Sequence, residues 1–499
     1  MFKNYILKSK KLAFAILSIL ILSTSYSYAQ STEIKLGMVL EPPHLDPSAG
    51  AAAAIDEVVY ANIFEGLTRI DENGGVQPSL ATSWEISPDN LTYIFHLKKG
   101  VKFHDGTRFG ADDVAFSFER AMGDDSVNAQ KAIFEIIEEI RAVDANSVAI
   151  LLKRPSGDFL FNIGRGDAII VGSESANNNK TNPIGTGPYK FISWNKGSKI
   201  VLEANENYVG EKVSIDKATF VFISDPNTAI AAMLAGDLDG FPMFPAPEAL
   251  EIFTKDDRFN VLVGTTEGET ILATNNKKAP FNDIRVRQAM AHAIDRNAII
   301  EGAVFGYGTP IGSHFAPHHP YFIDKVDTYP LDLEKAKTLL AEAGYPNGFK
   351  ATLKLPPAPY ARRSGQIIAS QFREIGIELE LINVEWAQWI DETFTKKDYD
   401  LTIISHVEPF DIGIYANPDY YFQFDNADFR AVMEQLGQTT DEGARRALAI
   451  YAQDFLARHA VNTYLFQLAK VGVWRTDIEG MWANAPIEGN DLSTIRFIN

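Results

Sequence analysis

Nine histidines, 65 acidic side chains and no cysteine set the chemical range of this 499-residue chain. Without a thiol there is no disulfide, thiolate metal site, cysteine nucleophile or iron–sulfur cluster, so any chemistry uses oxygen and nitrogen groups. One local histidine cluster, His314-Phe-Ala-Pro-His318-His319, has a spacing that could present two imidazoles to a divalent metal. Pro317 and Pro320 argue against this and predict a loop with solvent-exposed histidines. His292 falls inside a strong helical pattern and reads as a surface or packing residue. His406 ends an apolar strand-like run, where α/β folds place ligand-facing side chains. No G-x-S-x-G or H-E-x-x-H occurs, and no glycine-rich dinucleotide pattern stands between a strand and a helix. Pro183-Ile-Gly-Thr-Gly-Pro-Tyr189 is not a phosphate cradle, because Pro188 and the strand-like Tyr189–Ile192 close it where a helix should open. Carboxylate pairs for glycoside hydrolysis are available by number alone, and no pair is singled out.

The elements that must position these groups are partly legible. Glu33 to Leu40 alternates and then runs apolar, as a partly buried strand does, and Glu41-Pro-Pro ends it. Tyr93 to Lys98, the Gly100 turn, Val101 to Phe103 and the His104-Asp-Gly106 turn predict a hairpin-like β element. Val114, Phe118 and Ala121 fall on one face of a helix over 111–122. The best helix starts at Asn282 or Asp283, with Val286, Ala289, Met290, Ala293 and Ile294 forming one apolar face. Asp332 can cap a second, ended by Gly344 and Pro346, and a third spans about 362–374. Ile377–Ile382 and Tyr399–Ser405 read as strands, so helix and strand alternate through this half and predict an α/β domain with some parallel strands.

Composition excludes several classes. With 46% hydrophobic and 22% charged residues the chain is neither disordered nor fibrous, and a length near 500 predicts about three domains. The formal charge of -19 opposes phosphate backbones, so no nucleic-acid partner is expected. Lys3, Lys8, Lys10 and Lys11 precede an apolar stretch from Leu12 to Leu22 and the small-residue pattern ending at Ala29. That is a secretory leader, too short for a transmembrane anchor, with cleavage expected after Ala29. Its loss removes four positive charges and takes the formal charge from -19 to -23. The mature chain is expected to be periplasmic, with no membrane anchor.

A series of ordered blocks resembles the extracellular solute-binding proteins of family 5, which serve peptide and nickel ABC importers. These blocks are Ile63-Phe-Glu-Gly-Leu67, Pro78-Ser-Leu-Ala-Thr-Ser-Trp84, Ser87-Pro-Asp-Asn90, Phe95 to Gly106, Ala111 to Phe118, Gly185-Thr-Gly-Pro-Tyr189, Phe281 to Met290 with Ala293-Ile-Asp-Arg296, and Leu339 to Pro346. The resemblance implies an α/β, two-lobed periplasmic binding protein of the Venus flytrap type, with an extra domain and a hinge between lobes. It implies a discontinuous lobe I over 30–65, 185–267 and 477–499, a domain II over 66–184 packed on it, and lobe II over 268–476. In peptide-binding relatives an acid holds the peptide amine and an arginine its carboxylate. Carried over residue by residue, the acid becomes Glu408 or Asp411, with His406 near a position where the family commonly has Trp. The arginine becomes Arg362, and Trp386 and Phe410 belong to a dense aromatic set available to flank a ligand.

The expected function is therefore that of a monomeric, non-enzymatic component of an ABC importer. It would use no cofactor and no resident metal, bind a small molecule, chiefly a di- or oligopeptide, and deliver it to an inner-membrane permease. Within the same fold the ligand could be a metal chelate, an opine or amino-acid conjugate, glutathione or an oligosaccharide. From other classes, a periplasmic hydrolase or a chaperone would also suit an exported acidic chain.

Overall fold

The computed structural model describes residues 32–50, 52–128 and 130–498. The leader and its cleavage position lie outside the described residues, and among those described no helix is long and apolar enough to cross a membrane.

Local chemistry explains the main helices. The Asp283 carboxylate accepts from the Arg285 N–H and starts Ile284–His292, and Asp332 does the same for Leu333–Glu342 through Lys335 N–H. Each satisfies one of the donors a helix start leaves unpaired. Ala111–Met122 has the bounds its periodicity predicts and buries Val114, Phe118 and Ala121. The third helix, Pro359–Arg373, begins three residues earlier than predicted, because a proline fits the first helical position. Val101–Phe103 forms no strand. Only an isolated bridge joins Lys102 to Arg108 around Gly106, whose φ of +93° suits glycine.

An eleven-stranded mixed sheet runs through the molecule. In spatial order its strands are Ile377–Asn383, Phe349–Leu355, Leu401–His406, Phe259–Thr274, Thr463–Arg475, Gly240–Phe241, Glu33–Met38, Lys217–Phe222, Lys199–Ala204 and Tyr189–Asn195, with Gly308–Pro310 pairing off Thr463–Arg475. One large core, around Leu272, Met290, Leu340, Leu353 and Phe372, lies on one side of the long central pair, and a second, around Leu36, Phe64, Phe220 and Trp474, lies on the other. A four-stranded antiparallel sheet, with Thr92–Leu97 between Ala81–Ile86 and Ser147–Leu152, packs with Ala111–Met122 over a third core containing Phe95, Phe118 and Ile150.

The central pair Phe259–Thr274 and Thr463–Arg475 connects the two large cores. Its antiparallel register holds from Phe259↔Arg475 to Thr265↔Ala469 and resumes at Glu269↔Gln467. Thr266, Glu267 and Gly268 thus oppose Leu468 alone, a bulge that bends the strand and re-aims its side chains midway between the cores.

Candidate functional site

The bulge opens onto a cavity of about 370 Å³, within the usual range of small-molecule sites. Its walls come from both sides of the central pair. Ala53 and Glu57 of the helix Ala53–Val59, Met243 and the segment Ala485–Asn490 face Val407 and Pro409, and Thr266–Gly268 with Leu468–Lys470 form the floor. The rim is closed by contacts across the cleft. Phe161 packs edge-on against Phe410 with ring centres 4.6 Å apart, and Arg165 lies 3.6 Å from Glu408. Further out, Gly157 N–H donates to Gly437 O, Thr440 Oγ1 donates to Asn90 Oδ1, and Arg445 pairs with Asp158.

The cavity walls are mainly apolar, with four charged side chains, Glu57, Glu267, Glu488 and Lys470, and the polar Thr266 and Asn490. The bulge delivers Glu267, and His318 holds it: His318 Nε2 is 2.8 Å from Glu267 Oε1, and its Nδ1 is 2.6 Å from Thr265 Oγ1. Lys470 is buried and its ammonium donates to the carbonyls of Trp482 and Asn484, at 3.0 and 3.2 Å. Burial, opposed by Glu72 and Glu57, lowers its pKa to about 8. Glu57 and Glu488 have no ion-pair partner among the described residues. Burial first, and Glu488 second, push Glu57 up to about 7, with Lys470 opposing. Behind it Asp56 is raised well above the carboxylate range by burial, Asp167 and Glu488, and its Oδ1 is buried without a hydrogen-bond partner. Asp167 is pushed up to about 6 by burial, with Arg165 opposing and Glu488 reinforcing. Burial raises the proton affinity of Asp56, Glu57 and Asp167 at and beside this wall, and the neighbouring carboxylates add to it.

On the opposite side each buried carboxylate has an imidazole beside it. His314 lies between two carboxylates, Nδ1 2.8 Å from Glu269 Oε1 and Nε2 2.9 Å from Asp411 Oδ1, with all three side chains largely or wholly buried. Asp411 Oδ2 is 3.4 Å from His406 Nδ1, and His406 Nε2 is 3.0 Å from the Tyr421 hydroxyl. Burial alone would lower the His314 pKa, but Glu269 and then Asp411 reverse it, to about 10. Burial would raise Asp411, and His314 with His406 instead holds it well below the usual carboxylate range. Burial pushes Glu269 up to about 7 against the pull of His314. The result is a strap from the bulged strand, which carries Glu269, to the loop after Leu401–His406, which carries Asp411. Glu269, His314 and Asp411 offer donor atoms within 4.8 Å of one another, the spacing of a metal trio. Both imidazole nitrogens already face a carboxylate at hydrogen-bonding distance, which describes a bridging imidazolium rather than an open coordination site.

The predicted site residues separate into groups. Asp411 and His406 belong to the strap, and Glu408 stands on the rim with its side chain 58% exposed, opposite Arg165. Phe410 adopts φ +59° and packs on Phe161, Phe315 and His319, lining a neighbouring cavity of about 450 Å³. Arg362 is held 3.3 Å from both Val384 O and Glu385 Oε1 and does not line the 370 Å³ cavity. Its neighbour Arg363 lines a third cavity of about 420 Å³ that shares Met243, Leu468 and Ala469 with the first. Trp386 is 45% exposed and packs edge-on to Trp389, away from the cavity lining. The expectation of exposed loop histidines is corrected. His314, His318 and His319 are in a loop but buried, because acids of the bulged strand and the Phe315–Phe410 stack enclose them. They point to three different partners and do not converge on one ion.

Glu57, Glu488, Glu267 and Lys470 escaped the sequence reading. Glu57 looks like any helix-surface acid, and Glu488 like a loop acid beside Gly489. The one available signal was the carboxylate of Glu269 beside the apolar strand run Ile271–Ala273, since a buried acid needs a partner.

The model of the bacterial extracellular solute-binding proteins, family 5 Middle, matches residues 75–429. The chain is 33% identical over 345 residues to the Heme-binding protein A of Haemophilus influenzae, with 63% of each chain covered. It is 32% identical over 351 residues to the Dipeptide-binding protein of Escherichia coli, with 63% of this chain and 64% of that one covered. It thus spans a little under two thirds of the length of these relatives. The solved structure of HbpA2 from Haemophilus parasuis superposes with a TM-score of 0.86 at 25% identity, covering 94% of this chain and 100% of that one.

Proposed function

This chain belongs to the bacterial extracellular solute-binding proteins of family 5, and on that premise we propose that it is a periplasmic binding protein that captures a short peptide between its lobes and delivers it to an inner-membrane ABC permease. One observation carries the reading: the 370 Å³ cavity is walled by segments on both sides of a bulged strand pair, so a ligand placed there touches both lobes at once. Contacts available only when both lobes meet are what convert binding into closure. The lobes are those set out from the sequence, 30–65 with 185–267 and 477–499 on one side and 268–476 on the other, with 66–184 as the extra domain. The chain acts as a monomer without cofactor or catalysis, and its leader is removed after Ala29.

Among the predicted residues, Glu408 and Phe410 serve the rim, and Asp411 with His406 positions the loop that carries them. An Arg165–Glu408 approach at 3.6 Å and the Phe161–Phe410 contact bring the lobes together next to the cavity. Titration calorimetry of the mature chain with di- and tripeptides, and with hemin as competitor class, tests the reading. Saturable peptide binding at a stoichiometry of one supports it. Binding of hemin with silence toward every peptide overturns the peptide assignment.

A further inference from the structure

A charge count of the cavity walls distinguishes among ligands that would fit its volume. Three carboxylates and one ammonium line it, and the ammonium of Lys470 is already directed to two main-chain carbonyls. Glu267 has His318 at 2.8 Å. Glu57 and Glu488 have no ion-pair partner among the described residues, Lys470 acting on Glu57 only from a distance, while the unpartnered Oδ1 of the neighbouring Asp56 stands against Gly166 and not in the cavity. The nearest guanidinium, Arg165, stands at the rim with Glu408. Glu488 is exposed and Glu57 half-buried, so both carboxylates are open to a cation brought from outside, and a ligand that covers this wall without supplying one leaves them buried at a cost.

We propose that the ligand of this cleft is a net-positive organic ammonium, such as a peptide with a basic side chain, and that Glu57 and Glu488 are the residues that select it. The proposal deepens the binding-protein reading and rests on it for the location of the ligand. An ammonium fits better than a metal ion: the converging trio of donors among the described residues is Glu269, His314 and Asp411, not this wall. The apolar remainder, Met243, Val407, Pro409, Leu468 and Ile487, suits the methylene stem of a lysine-like chain, which lies along apolar surface while its head stays paired. No unengaged cation in the cavity faces an anionic group, so acidic peptides are disfavoured.

The test is titration calorimetry of the full mature chain with Lys-Lys, Ala-Ala and Glu-Glu dipeptides and with 1,5-diaminopentane. It compares wild type, Glu488→Gln and the Glu57→Gln/Glu488→Gln double variant. Lys-Lys is expected to bind at least tenfold tighter than Ala-Ala, and Glu-Glu more weakly than either. The Lys-Lys preference should fall in the single variant and vanish in the double. Thermal melts serve as the folding control, and they should rise in both variants because repulsion is removed. Equal affinities for Lys-Lys and Ala-Ala, or a preference that survives the double variant, overturns this inference while the peptide reading stands. Glutamate-dependent binding of 1,5-diaminopentane with no dipeptide bound does the reverse. Silence toward every probe overturns both.

Discussion

Two clusters of acids flank the same bulged strand, one buried around imidazoles and the other half-buried to exposed beside the cavity. On one side Glu269 and Asp411 bracket His314 at 2.8 and 2.9 Å, so each carboxylate has an imidazole beside it. On the other side burial raises the proton affinity of Asp56, Glu57 and Asp167, neighbouring carboxylates including Glu488 add to it, and Arg165 and Lys470 oppose it only in part. A cluster whose acids already face imidazoles acts as structure. Of the second cluster Glu57 and Glu488 line the cavity, where a cationic ligand supplies the missing partner. Acids alone therefore do not mark a ligand site; acids without a counter-charge do.

The largest effect that would sharpen the contrast comes from unmatching the matched cluster. His314→Leu leaves Glu269 and Asp411 buried without their shared cation, and removing one partner of a buried pair costs about 3–5 kcal/mol. Urea denaturation should show that loss, and an unchanged midpoint would mean that the strap holds nothing. Next in size is the collapse of the Lys-Lys preference in the Glu57→Gln/Glu488→Gln variant, tenfold or more, with a rise in melting temperature.

A smaller effect follows from pH. Glu57 and Asp167 bind protons more tightly folded than unfolded, so their contribution is full below their ordinary values of 4.5 and 3.8 and is lost as pH rises through about 7 and 6. His314 has the same sign, its contribution present below 6.5 and lost as pH rises through about 10. The unliganded protein should therefore melt higher at pH 5 than at pH 8. The double glutamine variant should make the decline around pH 7 shallower, with Asp167, Glu269 and His314 supplying what remains. A melting temperature that rises with pH over this range would contradict the unmatched wall. The smallest effect is Arg362→Ala, whose contacts are two 3.3 Å approaches to Val384 O and Glu385, one of them a solvated ion pair. Peptide affinity should change less than twofold by calorimetry.

Legibility divides along the same line. Asp283 and Asp332 announce their helices because a cap acts locally, and the periodicity of Val114, Phe118 and Ala121 bounds its helix to the residue. The ordered motif blocks also lead to the family. The site was not legible in this way. Glu57 and Glu488 are 431 positions apart in sequence and share a wall only because Ala53–Val59 packs beside the segment before Gly489. His314 was misread as exposed because Pro317 and Pro320 signal a loop correctly, and nothing local shows that Glu269 and Asp411 enclose it. Asp411 was a fair candidate for a ligand group by resemblance, and its engagement with His314 and His406 is a long-range fact that spacing does not carry.

The most direct measurement compares the two clusters in one assay: the ratio of Lys-Lys to Ala-Ala affinity, by titration calorimetry, in wild type, Glu57→Gln/Glu488→Gln and Asp411→Asn. The account predicts a ratio of at least ten in wild type that drops to about one in the double variant and persists in Asp411→Asn, whatever that substitution costs in stability. A ratio abolished by Asp411→Asn and retained in the double variant would place charge recognition on the matched side and contradict the account.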